Sequence, residues 1–186
     1  MKKNAVMPTV VLLLICLIVA GVLSAVHHFT AQALVVDPSE IIDQMRADYL
    51  EVLPDAAEFE LLYRTDGYAS GEKGTAVEAV KTDVGYLITA HSTGQYDSSP
   101  IRVLVGIGLD GNVRAVKILK SSETPGMGSR VNSEPFLAQF SGGSAFSLDG
   151  KSGEKIDGVT SATKSAKAVV NAVNTAMEEY RALTAD

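Results

Sequence analysis

The chain has 186 residues, 46% of them hydrophobic, and a formal net charge of −6, so it can form one core and carry an appendage. The acidic balance disfavours a nucleic-acid partner and an anionic membrane surface. The only cysteine, Cys16, lies in an apolar run, which excludes disulfides and thiolate-bound metal clusters from the polar part, so any electron transfer there needs an organic cofactor.

The N-terminal region predicts a membrane anchor. Residues 1–6 carry Lys2 and Lys3 and precede an apolar segment at residues 7–27, which is long enough to cross a hydrocarbon core as a helix. The positive charge before this span predicts a cytoplasmic N-terminus. The remaining chain then lies on the outer, periplasmic or extracellular side of the inner or plasma membrane. The alternative is a cleaved signal peptide ending near Ala25, although the apolar run is longer than usual for one.

Residues 28–58 predict a helical connector. Asp37 can cap a helix, Pro38 fits its first turn and Glu40 its third position. Apolar residues then recur at helical spacing until Pro54 ends the pattern. We expect a packed helix that leads away from the membrane.

Residues 59–186 predict a single α+β domain. The β-like segments are 59–63, 75–82, 85–91, 101–108 and 113–119, and Asp110-Gly111 between the last two is typical of a hairpin turn. A short helix is expected at 133–140, a surface excursion at 141–154 and a long amphipathic helix at 161–183. Strands joined by tight turns between helices indicate a mainly antiparallel sheet with flanking helices.

The start of the final helix is the first candidate site. The run Asp157-Gly158-Val159-Thr160-Ser161-Ala162-Thr163-Lys164-Ser165 places hydroxyls and a lysine where helix N–H groups and the helix dipole favour a phosphate. By composition alone, simple capping by Ser or Thr explains the same run. The chain has no GxxxxGK or GxGxxG nucleotide loop. A serine hydrolase is disfavoured because His91 is the only candidate base in the domain.

The second candidate is Glu123-Thr124-Pro125-Gly126-Met127-Gly128, directly after the hairpin. Pro-Gly followed by another glycine predicts a tight loop at the end of the sheet. On local chemistry alone this loop is an ordinary turn, but loops on a rigid scaffold often carry function.

Together the two stretches resemble the hallmarks of FMN-binding domains. Residues 157–163 resemble the flavinylation motif, and Glu123 to Gly128 resembles the second hallmark, Glu-Thr-Pro-Gly-Leu-Gly. With the anchor and the chain length, the sequence is most similar to the G-subunit family of the Rnf ion-translocating electron-transport complex. The C subunit of the sodium-pumping NADH:quinone oxidoreductase is a related family.

The resemblance implies a membrane-anchored flavoprotein subunit of an ion-translocating ferredoxin:NAD oxidoreductase. Thr163 would carry FMN as a phosphoester, formed by a flavin transferase from FAD, within a site of Asp157, Thr160, Ser161, Ala162 and Lys164. The second site segment, Glu123, Thr124, Pro125, Gly126, Met127 and Gly128, would line the flavin. The partners would be the other membrane and peripheral subunits, and this chain would have no NAD site, catalytic residue or metal of its own.

One departure from the family pattern leaves alternatives open. Ser161 stands where the family has a glycine, which permits positive φ and the close approach of a bulky group. A stand-alone extracytoplasmic FMN relay, without the complex, is one alternative. The other is an anchored sensor or adhesion domain that has lost the cofactor, an interpretation that Ser161 favours.

Overall fold

The computed structural model describes residues 6–33, 37–65, 74–93, 100–121, 126 and 128–185. The chain forms two compact units, Met1–Ile41 and Ile42–Asp186. The second unit contains the sheet and both candidate site segments.

The first unit is dominated by helix α1, Val6–Ala33. Within it, Pro8–His27 is the one segment of the described chain that is long and apolar enough to cross a membrane, with 20 residues and a mean hydropathy of 3.0. Its apolar side chains are exposed, as expected for a helix whose solvent is lipid. Such a helix satisfies its own backbone hydrogen bonds, which a lipid environment requires.

Helix α2, Pro38–Val52, begins as its sequence predicts. The Asp37 carboxylate accepts hydrogen bonds from the Ser39 N–H at 2.9 Å and the Ser39 hydroxyl at 2.7 Å. These bonds hold the pKa of Asp37 below its ordinary value. Asp37 is therefore the N-cap, and Pro38 takes the first helical position, where its missing N–H costs nothing.

The sheet has five strands in the order β1-β2-β3-β4-β5, all antiparallel. Their bounds are Phe59–Arg64, Thr75–Thr82, Gly85–Thr93, Pro100–Gly108 and Val113–Lys120. This confirms the α+β class and all five predicted strand segments. The β4–β5 turn contains Gly111 at φ +78°, a conformation that explains the glycine of the Asp-Gly pair.

Residues 128–155, which follow the five-stranded sheet, form short helices and a small second sheet. A 3-10 helix, Gly128–Asn132, leads into α3, Glu134–Leu137, and a second 3-10 helix, Ala138–Phe140. The last two elements confirm the short helix predicted at 133–140. The predicted surface excursion at 141–154 is wrong in one respect. Its strand β6, Phe146–Ser147, pairs with β7, Glu154–Lys155, and the Phe146 side chain is only 1% exposed.

The final helix α4, Thr163–Thr184, lies on one face of the sheet. Its buried stripe packs on the apolar side chains of β2, β3 and β4 and includes Val169, Val173 and Met177. This confirms the predicted amphipathic helix. Thr163 is therefore the first residue of a helix that is anchored in the core.

Helix α2 contributes the second apolar layer of this unit. Tyr49, Val52 and Leu53 cluster with buried side chains of β2, β3 and β4. A Cβ on Gly106 would lie 2.5 Å from Val52 Cγ1, so the glycine permits this close packing. Residues 42–58, which the sequence assigned to a connector, thus pack in the same compact unit as the sheet.

A buried carboxylate lies on the sheet within reach of α2. Glu78 is 1% exposed and accepts hydrogen bonds from the Tyr49 hydroxyl at 2.9 Å and the Thr89 hydroxyl at 3.1 Å. Arg64 forms an ion pair with it at 3.2 Å. Burial, and then the Glu78 charge, raise the pKa of the Tyr49 phenol. These partners make the burial of this charge tolerable and tie α2 to the sheet.

Candidate functional site

The N-terminus of α4 lies at the end of the sheet from which the second candidate segment emerges. Near the other end of α4, the Tyr180 hydroxyl donates to the Leu109 carbonyl at 3.3 Å, and its ring contacts Tyr86 edge to face. These contacts fix the C-terminal part of α4 at the β4–β5 turn. Because β5 runs away from that turn to Lys120, the chain leaves β5 at the opposite end of the sheet. Helix α4 also runs away from the turn toward Thr163, and near its start it contacts the 3-10 helix at Gly128–Asn132.

The structure describes part of the second segment. Glu123, Thr124, Pro125 and Met127 lie outside the described residues. Gly126 is exposed at φ +80°, and its N–H donates to the Ser129 hydroxyl at 2.9 Å. Gly128 is buried and begins the 3-10 helix, whose Val131 belongs to the same buried cluster as Ala162 and Ala166 of the α4 start. The described glycines therefore lie in a turn attached to the core beside α4.

A tight turn precedes α4. The Ala162 N–H donates to the Val159 carbonyl at 2.9 Å, which closes a turn with Thr160 and Ser161 in its central positions. Ser161 has φ +68° and is the one non-glycine residue of the described chain with positive φ. Positive φ at the second central position is the pattern of a type II turn, which favours glycine or asparagine. A glycine, which the motif that residues 157–163 resemble has here, would take this φ without strain.

The turn also shows that the capping interpretation of the hydroxyl run is wrong. Ala162 takes the N-cap position of α4 at φ −133°, and no side-chain hydrogen bond caps this helix end among the described residues. The hydroxyl residues flank the N-cap position instead of occupying it, because the turn ends at Ala162. The Ala162 carbonyl accepts the first intrahelical bond, from the Ala166 N–H, at 2.8 Å.

Thr163 is the first residue of α4 and is exposed, as are Thr160, Ser161 and Lys164. The first turn of α4 contains no acidic residue, so nothing there opposes the positive end of the helix dipole. Asp157 is exposed too, and its carboxylate lies 3.7 Å from Lys155 Nζ. The arrangement places an accessible hydroxyl at an anion-favouring helix terminus.

One residue that fixes this segment carries no recognisable signal in the sequence. The Gln139 side chain accepts a hydrogen bond from the Asp157 N–H at 2.7 Å and donates to the Asp157 carbonyl at 3.3 Å. Next to Asp157, Ile156 is buried in the core. A glutamine 18 residues upstream carries no local pattern by which sequence could reveal such a contact.

Comparisons with known proteins identify the family to which this chain belongs. A sequence model of the FMN-binding domain family matches residues 97–178, which include both candidate segments. The chain is 33% identical over 152 residues to the G subunit of the Na(+)-translocating ferredoxin:NAD(+) oxidoreductase complex of Acetobacterium woodii, covering 72% of each chain.

Two further relatives cover comparable or larger shares of the chain. The G subunit of the proton-translocating ferredoxin:NAD(+) oxidoreductase complex of Clostridium ljungdahlii is 29% identical over 174 residues, which are 91% of this chain and 88% of the relative. The G subunit of the ion-translocating oxidoreductase complex of Methanosarcina acetivorans is 29% identical over 144 residues, covering 73% and 74%. The similarity therefore extends over most of the chain and is not confined to the motif segments.

Proposed function

We propose a function from one premise: the chain belongs to the family of G subunits of ion-translocating oxidoreductase complexes. It is a membrane-anchored flavoprotein subunit that passes electrons through FMN within such a complex. The observation that carries this conclusion is the exposed Thr163 hydroxyl at the start of α4, inside the region that matches the FMN-binding domain family.

The residues present fit the phosphate of FMN. The α4 terminus combines helix N–H groups and the positive end of the dipole with Lys164 and Lys167 in the first turns. Asp157, Thr160 and Ser161 form the approach, and Ala162 is the buried N-cap. A phosphate at this position would be stabilised by charge and hydrogen bonding.

We assign Thr163 as the covalent attachment point. Its hydroxyl oxygen forms a bond to the FMN phosphorus of FAD while the pyrophosphate bond breaks. AMP leaves and the hydroxyl proton is released with it, so the atoms balance without an oxidant or reductant. A flavin transferase partner supplies the catalysis.

FMN, when bound, supplies one- and two-electron transfer, and the chain contributes its binding and position. We propose that Glu123, Thr124, Pro125, Gly126, Met127 and Gly128 line its ribityl or ring portion. The described end of this segment supports that role, because buried Gly128 begins a 3-10 helix whose Val131 shares a core cluster with Ala162 and Ala166. The chain's part in catalysis is electron transfer, and binding of NAD belongs to other subunits.

The proposed topology places the N-terminus in the cytoplasm and residues 28–186 on the outer side of the membrane. Lys2 and Lys3 before the span support this orientation. The membrane and peripheral subunits of the complex are the proposed partners. Copurification with multi-span subunits separates this function from a stand-alone electron relay, which would purify alone with a turnover of its own.

The test is the intact mass of the full chain, coexpressed with a flavin transferase, together with in-gel flavin fluorescence. Wild type is expected to gain the mass of FMN less water, and Thr163→Ala to lose that gain. Thr184→Ala removes an exposed threonine at the other end of the same helix and serves as the matched control. An FMN adduct that persists in Thr163→Ala would refute the attachment site, and wild type without flavin would support the cofactor-free sensor.

A further inference from the structure

The hydrogen bonds between Gln139 and Asp157 connect two segments that lie 18 residues apart in the sequence. A single side-chain amide serves both backbone groups of Asp157, with 2.7 Å for the accepted bond and 3.3 Å for the donated one. A neighbouring β-strand satisfies a residue in the same way, through one acceptor and one donor. The Asp157 backbone is thus held through both its N–H and its carbonyl, as in a β-strand, just before the turn that precedes Thr163.

Gln139 itself stands on a rigid base. Its neighbour Phe140 is buried and contacts Phe136 at 5.7 Å and Phe146 at 5.1 Å between ring centroids, both edge to face. Phe146 is held by α4: the Asn174 side chain accepts from its N–H at 3.0 Å and donates to its carbonyl at 2.7 Å. Gln139 is therefore positioned relative to the same helix that carries Thr163.

Other contacts hold the turn less firmly. Between buried Ile156 and buried Ala162, four of the five residues are exposed and the fifth, Val159, is half-buried. The Lys155–Asp157 ion pair joins two exposed groups 3.7 Å apart, a kind of contact that contributes little. The Gln139 bonds are thus the principal tie between the described part of this turn and a distant segment.

We propose that Gln139 is a positioning residue for the modification of Thr163. It holds the Asp157 backbone so that the turn at 159–162 presents the Thr163 hydroxyl to the modifying enzyme in one conformation. A segment ordered in advance avoids the entropy loss of ordering on binding. This role rests on the proposed attachment of FMN at Thr163.

The test measures initial rates of FMN incorporation by intact mass, with purified full-length chain in detergent, flavin transferase and FAD. Gln139→Leu is expected to lower kcat/KM for the chain as substrate about tenfold, which corresponds to about 1.4 kcal/mol of lost hydrogen bonding. The change should appear mainly as a higher KM, and prolonged reaction should still give the complete adduct. Gln44→Leu makes the same change at an exposed position of α2 and should react like wild type.

A conservative variant distinguishes positioning from general stability. Gln139→Glu keeps the acceptor for the 2.7 Å bond and should recover most of the rate, at an unchanged melting temperature. If Gln139→Leu melts early, Gln139→Asn, which retains the amide on a shorter stem, is measured instead and should show the same loss. A rate within about twofold of wild type in a folded Leu or Asn variant overturns the proposal. Failure of the proposed function is distinct, because wild type itself would then gain no FMN mass.

Discussion

Replacing Ser161 by glycine should stabilise the second compact unit. Ser161 lies at φ +68°, in the left-handed region, where a Cβ crowds the following carbonyl. Glycine takes this conformation without that clash, so Ser161→Gly relieves a local strain and leaves the hydrogen bond between Ala162 and Val159 intact.

The size of the effect follows from two opposing contributions. Relief of the left-handed conformation raises the free energy of unfolding by about 1–2 kcal/mol. The greater freedom of glycine in the unfolded chain lowers it by about 0.4–1 kcal/mol. The net gain is about 0.5–1 kcal/mol. For a unit of about 145 residues, Ile42–Asp186, the unfolding entropy is about 0.3 kcal/mol/K, so the melting temperature should rise by about 2–3 °C.

Tyrosine fluorescence during heating of the full chain in detergent measures this change. The chain has six tyrosines and no tryptophan, and every tyrosine lies after residue 42, so the signal reports on the second unit. Ser161→Ala retains a Cβ and should bring no gain. Ser152→Gly changes an exposed loop serine without positive φ and should lower the melting temperature slightly. If Ser161→Gly melts at or below the wild-type temperature, or if Ser161→Ala stabilises equally, backbone strain at this position is refuted.

Further predictions concern the face of the sheet next to α2. Gly106→Ala should destabilise the second unit by about 1–3 kcal/mol in urea unfolding, because the new Cβ would lie 2.5 Å from Val52 Cγ1; Gly158→Ala, whose Cβ would meet nothing closer than 3.9 Å, should change it little. Tyr49→Phe should cost about 1.5–3 kcal/mol in the same assay, because the buried Glu78 carboxylate loses a donor. Because the pKa of Tyr49 is raised in the folded chain, the unfolded chain loses this phenol proton at a lower pH. The free energy of unfolding should therefore fall as pH rises above 10.0. Circular dichroism during unfolding should show this fall, and the fall should be smaller in Tyr49→Phe.

Features with a local physical cause were predictable from sequence. Asp37 caps α2 because its carboxylate reaches an N–H two residues away, and Asp110-Gly111 makes the hairpin because only glycine adopts its φ readily. The β-like segments and the turns between them predicted the strand bounds to within a few residues. Each of these causes acts within a few positions of the chain, where a sequence pattern can record it.

Features that depend on distant partners were not predictable. Phe146 stands in a glycine-rich polar stretch and becomes a core residue because Asn174, 28 residues away, binds its backbone. Gln139 and the buried Glu78 belong to ordinary polar patterns until the fold places their partners beside them. At the α4 start the residue types favoured capping, but the turn placed Ala162 at the N-cap instead.

The strain at Ser161 and the fixation around it are two aspects of one arrangement. A left-handed serine persists only where the structure on both sides over-determines the backbone. Here buried Ile156 and the Gln139 bonds to Asp157 hold the entering chain, and buried Ala162 begins a helix whose Ala166 and Val169 are anchored in the core. The exposed residues between these anchors have few conformations available. The domain thus holds the exposed Thr163 hydroxyl at a defined position, which the proposed attachment of a bulky group to the folded chain would require.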